Sequence, residues 1–123
     1  MGKYTGTASG KAQGAAMAEK FKRKAKKAMG SIAEALMDGG LSVEREAKIN
    51  CPVDTGRLRA SITTRQTSET LVEVGTNVEY AENVEYGTSK QRAQPYLHPA
   101  YEAKKEEVKR RIAKALKEAM RTK

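Results

Sequence analysis

The side chains that most often carry catalysis or bind metals are scarce in this sequence. His98 is the one histidine and Cys51 the one cysteine, so a usual zinc site cannot be completed. A Cys51–His98 dyad is conceivable, but nothing nearby in the sequence would activate the thiol. A small buried cysteine beside Pro52 is the simpler interpretation. The sequence therefore predicts a protein that is not an enzyme and that holds no metal or cofactor.

Two further patterns could in principle bind a ligand. Gly39-Gly40 lacks the following Lys-Ser/Thr of a phosphate-binding loop. Glu79, Glu82 and Glu85 are spaced by three and could share one side of a short helix. Three like charges more often form a solvated face or a protein contact than a cation site. We therefore interpret the three glutamates as part of a contact surface.

Basic residues are concentrated at both ends of the chain. The formal net charge is +9, with +7 in residues 1–30, +5 in residues 101–123 and −3 between them. Basic ends favour acidic partners such as nucleic acid or acidic protein surfaces, although Lys and Arg also simply solvate exposed helix faces. Phe21 is the only aromatic residue within 16–30, so contacts to DNA would be non-specific and would involve phosphates. The candidate phosphate contacts are Lys20, Lys22, Arg23, Lys24, Lys26 and Lys27.

These residues must be positioned by a small number of elements. Residues 1–15 are rich in Gly and small residues and are predicted to be a flexible basic arm, followed by a single domain at residues 16–123. An apolar stripe predicts a helix from Ala16 to about Asn50. Gly39-Gly40 would cost about 2 kcal/mol relative to alanines. Because the stripe continues in phase beyond them, we expect one long helix, with a kink at the glycines as the alternative form, rather than two helices.

The remaining elements predict an α+β fold. Asp54-Thr55-Gly56 is a structural turn, and residues 57–62 form a connector of about one helical turn. Residues 61–68 and 70–76 are predicted strands of a hairpin, and one or two helical turns within Asn77–Thr88 are predicted to end at Gly87. Residues 94–98 are predicted to be a short strand before a C-terminal helix from Ala100 to about Arg121. The predicted class is α+β: a long N-terminal helix, a small antiparallel sheet, a short helix, and a C-terminal helix packed on the sheet.

The supply of large apolar residues is low for a domain of this size. Leu, Ile, Val and Phe together make up 18 of 123 residues, fewer than is usual for a globular chain. We therefore expect the domain to need a partner surface for full stability. No apolar run approaches the about 20 residues of a membrane span, so no membrane partner is expected.

Three segments together resemble one family. Cys51-Pro-Val-Asp-Thr-Gly-Arg-Leu-Arg-Ala-Ser-Ile62 is similar to a signature of the phage tail-completion proteins named after gene product ten of a lambda-like siphophage. Tyr80-Ala-Glu-Asn-Val-Glu-Tyr-Gly-Thr88 and Gln94-Pro-Tyr-Leu-His-Pro-Ala100 resemble two further segments of that family. Cys51, Tyr96 and His98 depart from its usual Ala, Phe and basic residue. The resemblance covers residues 16–121.

This resemblance implies a structural virion protein of the phage neck, at the head-proximal end of the tail. It implies a homo-oligomeric ring of six subunits that completes the tail and joins it to the head connector around a DNA channel. Tail-terminator or tail-tube proteins and connector or head-completion proteins would be its partners, with assembly in the bacterial cytoplasm. A basic, non-specific DNA-binding or packaging accessory protein is the alternative. The candidate interface residues are Arg57, Arg59, Tyr80, Glu82, Glu85, Tyr86, Pro95 and Tyr96.

Overall fold

The computed structural model describes residues 8–53 and 56–121, with side chains from residue 14 onward in the first helix. Its elements, in chain order, are α1 (Ala8–Asn50), α2 (Arg57–Ser61), β1 (Thr63–Ser68), β2 (Leu71–Gly75), α3 (Ala81–Tyr86) and α4 (Leu97–Arg121). The two strands form one antiparallel sheet. The predicted α+β class is confirmed, with the long N-terminal helix, the hairpin, the short helix and the C-terminal helix in the expected order.

α1 is one continuous helix of 43 residues, about 65 Å long. The prediction that Gly39-Gly40 does not divide it is confirmed. The helix begins at Ala8 rather than Ala16, so the predicted boundary was wrong by eight residues. The error arose because glycine and small residues weaken a helical pattern without preventing the helix. Residues 1–7 lie outside the described residues, so the prediction of a flexible arm stays a prediction for that part of the chain.

The hairpin places one face of the sheet against α1. Thr63 pairs with Gly75 and Arg65 with Glu73, and the register shifts between Gln66 and Ser68 near the turn. The side chain of Thr64 donates a hydrogen bond to Glu44 Oε1 at 2.8 Å, which ties β1 to α1. Burial opposes ionisation of Glu44, but hydrogen bonding from Thr64 and the nearby Lys48 ammonium outweigh it and lower the Glu44 pKa.

α4 runs antiparallel to α1 and packs along it. Toward one end, Val43 lines a cavity together with Leu97 and Tyr101, and toward the other end Lys27 and Ala119 line a second cavity. The first turns of α4 also approach the sheet, because Val72 and Val74 line the same cavity as Leu97. α1 therefore has two partners, with α4 along one side and the hairpin along another.

The main core lies where α1, α2, α3 and the start of α4 meet. Its fully buried members include Ala47 from α1, Ile62 after α2, Tyr96 and Ala100. Most of its side chains are small, in line with the low supply of large apolar residues. This small core holds the segments that carry the candidate interface residues in fixed positions relative to one another.

Residues 94–96 are not a strand, so that prediction was wrong. The backbone N–H of Gln94 donates to the carbonyl of Val84 in α3 at 2.8 Å, and Pro95 has no N–H to donate. The N–H of Tyr96 donates to the Glu85 carboxylate instead of to a neighbouring strand. α4 then begins at Leu97, three residues before the predicted Ala100, with Pro99 in its first turn.

Candidate interface surfaces

An ion pair joins the first family-like segment to the residue that precedes the second. Arg57 donates from Nη1 to Glu79 Oε1 at 3.0 Å and from Nη2 to Glu79 Oε2 at 2.9 Å. The guanidinium also lies over the Tyr80 ring, 5.5 Å from its centroid. Hydrogen bonding from Arg57 holds the Glu79 pKa below its usual value. This ion pair joins α2 to the segment before α3.

A cleft opens beside this ion pair. It has a volume of about 340 Å³, and its walls come from both family-like segments and from the loop after α3. Its lining residues are Pro52, Gly56, Arg57, Leu58, Tyr80, Val84, Gln91 and Gln94. Gly56 has a φ of 79° and so adopts the left-handed conformation expected of the turn. Asp54 and Thr55, the other turn residues, lie outside the described residues.

Several of the predicted contact residues are available to a partner. Glu82 and Tyr86 lie four residues apart on the outer side of α3, and Tyr86 is 78% exposed. Arg59 and Pro95 are exposed and Tyr80 is half-buried. We call Arg57, Arg59, Tyr80, Glu82, Tyr86 and Pro95, together with the cleft, the motif surface.

Glu85 and Tyr96 do not belong to this surface, because both side chains are buried inside the domain. The Glu85 carboxylate accepts hydrogen bonds from the backbone N–H groups of Tyr96, Leu97 and His98 at 3.2, 2.9 and 3.2 Å. These groups lie at the N-terminus of α4, where backbone donors have no helical partner and a negative charge is favoured. Glu85 therefore caps α4, and the expectation of one glutamate face was wrong.

Sequence reasoning missed this cap because its acceptor lies on another element. α4 has no acidic residue in its first turn and no Ser, Thr, Asp or Asn at position 96 to cap it locally. That missing local cap was the available signal. It left the first N–H groups of α4 to water or to an acceptor on another element, and it did not indicate Glu85.

The candidate phosphate contacts lie together on the N-terminal half of α1. Lys20, Lys22, Arg23, Lys26 and Lys27 are exposed and Lys24 is half-buried. Glu19 is the only acid among residues 14–27, and it lies 3.7 Å from Lys22. This basic segment is well away from the motif surface along α1, since α2 and α3 pack near the other end of that helix.

The two residues with potential chemistry are in different environments. Cys51 is buried in the core, as expected, and burial raises the pKa of its thiol and so disfavours the reactive thiolate. The His98 side chain is exposed, 3.9 Å from Glu102. Within residues 8–53 and 56–121, no group of three His, Cys, Asp or Glu side chains is arranged to hold a metal ion. None of the described helices is both long and apolar enough to cross a membrane.

The chain belongs to a family of phage tail components. A family model described as "Bacteriophage HK97-gp10, putative tail-component" matches residues 11–87, well over half of the chain. The match includes α1 from residue 11 onward, the first family-like segment, the hairpin and the second segment up to Gly87, whereas the third segment and α4 lie beyond it. No curated protein and no solved structure matches this chain. As a tail component, the protein is part of a virion.

Proposed function

We propose that this protein completes the head-proximal end of a phage tail and joins it to the head connector, as a ring around the DNA channel. Membership of the tail-component family over residues 11–87 carries this proposal. The motif surface supports it, because an exposed tyrosine, a guanidinium and a cleft are typical of protein contacts. In a cyclic assembly this surface would meet a different patch on the next subunit.

A nonsense mutation in the phage gene tests the position in the neck. We expect DNA-filled heads and full-length tails to accumulate separately, as seen by electron microscopy, with joining restored when the protein is supplied from a plasmid. Filled heads without any tail tubes would instead assign the protein to tube assembly. Infectious particles at normal yield would contradict a required role in joining.

The ring is tested by native mass spectrometry of the purified chain, alone and with the tail-terminator, tail-tube and connector proteins. A species of six subunits is expected, either in the chain alone or in the presence of one of those partners. A monomer under all of these conditions would contradict the ring.

The motif surface is tested by combining Glu82→Lys with Tyr86→Ala. Both residues are exposed, so the thermal stability of the monomer should change little. Joining of tails to heads should be lost. Glu69→Lys, in the exposed hairpin turn, is the matched charge reversal and should join normally. Normal joining by the double variant would show that this surface is not an interface.

The exposed basic segment of α1 favours one alternative, a basic accessory protein that binds DNA without sequence preference. Six exposed or half-exposed cations within eight residues would suffice for phosphate contacts. A salt titration separates the two functions. The alternative requires tight DNA binding near 150 mM salt with a steep dependence on salt concentration, whereas a neck protein does not.

A further inference from the structure

The N-terminal part of α1 extends past the end of α4. Gly39 faces Val108 where the two antiparallel helices meet, and Ala28 and Ala119 are both buried farther along. Because the helices are antiparallel, each step toward the C-terminus of α4 corresponds to one step toward the N-terminus of α1. Arg121 at the end of α4 therefore lies opposite about residue 26 of α1. Residues 14–25 therefore project beyond α4 by about 18 Å. Among them only Lys24 is even half-buried.

The projecting segment carries two large apolar side chains on one face. Met17 is 73% exposed and Phe21 is 72% exposed. Steps of seven place Phe21 on the same face as Ala28 and Ala35, which are buried, and Met17 lies one turn before Phe21. The face of α1 that α4 covers thus continues beyond Arg121, and among the described residues none covers it there. Lys22, Arg23 and Lys26 occupy the other sides of the helix.

We propose that residues 14–27 form a helical ligand that inserts Met17 and Phe21 into an apolar groove with a carboxylate rim on another virion protein. The segment holds six cations and one acid, so an acidic rim is the complement of its charge. Apolar residues at i and i+4 are the anchors that a helix presents to such a groove. The proposal needs only the tail-component family, and not the position in the neck.

Other occupants fit the segment less well. The same segment of a second copy would bring two strongly basic helices together. Duplex DNA would offer phosphates to the lysines but no apolar surface on which Met17 and Phe21 could be buried. A membrane surface calls for a broader apolar face than two side chains on one narrow stripe.

The test is site-specific photo-crosslinking in assembled particles. A benzoylphenylalanine at position 21 keeps an aromatic side chain there, and the matched control carries it at position 26, about 140° around the helix. We expect position 21 to crosslink to one other virion protein, at a segment containing both apolar residues and Asp or Glu. Position 26 should give little of that product. A product with a second copy, DNA or lipid, equal products from both positions, or none, would overturn the proposal.

Substitutions give a second readout. Phe21→Ala should reduce incorporation of the protein into particles by about tenfold, because a buried aromatic anchor contributes strongly to binding. Leu71→Ala, at an exposed apolar residue of the hairpin outside this segment, is the control and should change incorporation much less. Since Phe21 is exposed in the free chain, its replacement should leave the melting temperature unchanged. Wild-type incorporation of Phe21→Ala would refute the ligand helix. The crosslink at position 21 and the nonsense mutant test different proposals. If position 21 crosslinks as expected but heads and tails still join in the nonsense mutant, only the proposed position in the neck is refuted.

Discussion

Two glycines determine how closely α1 approaches its neighbours. A Cβ atom on Gly39 would lie 2.8 Å from Val108 Cγ1, and one on Gly40 would lie 2.7 Å from both Thr64 Cγ2 and Val72 Cγ1. Gly39 thus allows contact with α4, and Gly40 allows contact with the hairpin. Judged from the sequence alone, the two glycines lower the stability of the helix. In the folded protein they allow α1 to pack closely against α4 on one side and the hairpin on the other.

We expect Gly39→Ala and Gly40→Ala each to destabilise the protein by about 1–2 kcal/mol. Alanine would favour the helix by about 1 kcal/mol, but the stiff β-branched neighbours cannot move aside cheaply. Gly30 is the matched control, because it lies in the same helix with nothing within 4 Å of its missing Cβ. Gly30→Ala should stabilise by up to about 1 kcal/mol in urea unfolding. Equal stabilisation by all three substitutions would contradict the close approach.

Glu85 is the second residue on which the fold depends. Its carboxylate accepts from three backbone N–H groups at the start of α4 and so links α3 to α4. A buried N–H group that loses its acceptor still carries the full free-energy cost of its removal from water. The contribution of Glu85 therefore lies in holding the two helices together rather than in recognising a partner.

Glu85→Ala should lower the free energy of unfolding by about 3 kcal/mol, because several backbone donors would lose a charged acceptor. Glu82→Ala, on the exposed side of the same helix, should change it by less than about 0.5 kcal/mol. Chemical denaturation of the two variants measures both effects. Similar small losses for both would show that the α4 terminus finds other acceptors.

At the scale of elements, α1 has two parts with different surroundings. From about Ala28 to Ala47 it packs against α4 and the hairpin, whereas residues 14–23 are exposed on all sides. Helices in water are sustained mainly by packing of an apolar face rather than by intrinsic propensity. The two parts should therefore differ in local stability although they belong to one helix.

Hydrogen exchange of the free chain should separate these two parts. Amides of residues 14–23 should exchange faster than those of residues 32–47 by at least about 100-fold, since they open without disturbing the core. Peptide-level mass spectrometry resolves both segments. Equal protection would show that the projecting segment has a partner in the free protein.

For the whole molecule, stability depends on a small core centred on Tyr96. This side chain is 2% exposed and packs where α1, α2, α3 and α4 meet. Burial, reinforced by the nearby Glu85 carboxylate, raises the Tyr96 pKa to about 12. The folded chain therefore holds this proton more tightly than the unfolded chain does.

The sign of the pH effect follows from this difference. Stability linked to Tyr96 should be fully present below pH 10 and lost as the pH rises toward 12, with a loss of about 1.4 kcal/mol at pH 11. Titration of lysines adds its own effect in this range, so Tyr96→Phe is the control. The wild type should lose stability relative to Tyr96→Phe between pH 9 and 11, measured by urea unfolding. A constant difference would contradict the raised pKa.

Much of the architecture could be predicted from local patterns. The apolar stripe of α1, the period of two in β2 and the glycine stop at Gly87 each depend on residues close together in sequence. The family-like segments likewise indicated a phage tail component, because motifs are linear features. Local signals of this kind survive folding unless another element competes for the same backbone groups.

The features that only the tertiary structure revealed depend on contacts between residues far apart in the chain. Glutamates spaced by three look equivalent in sequence, but the free N–H groups of α4 draw Glu85 inward and leave Glu82 outside. The donors of residues 94–96 likewise bond to α3, which turns a predicted strand into an extended link. The exposure of Phe21 also depends on distant residues. The apolar stripe of α1 continues to Phe21, but α4, which covers the stripe farther along, ends before it reaches that position. Sequence periodicity shows which side chains lie on the apolar face of a helix or strand. Only the packing of distant elements shows which of those side chains are buried.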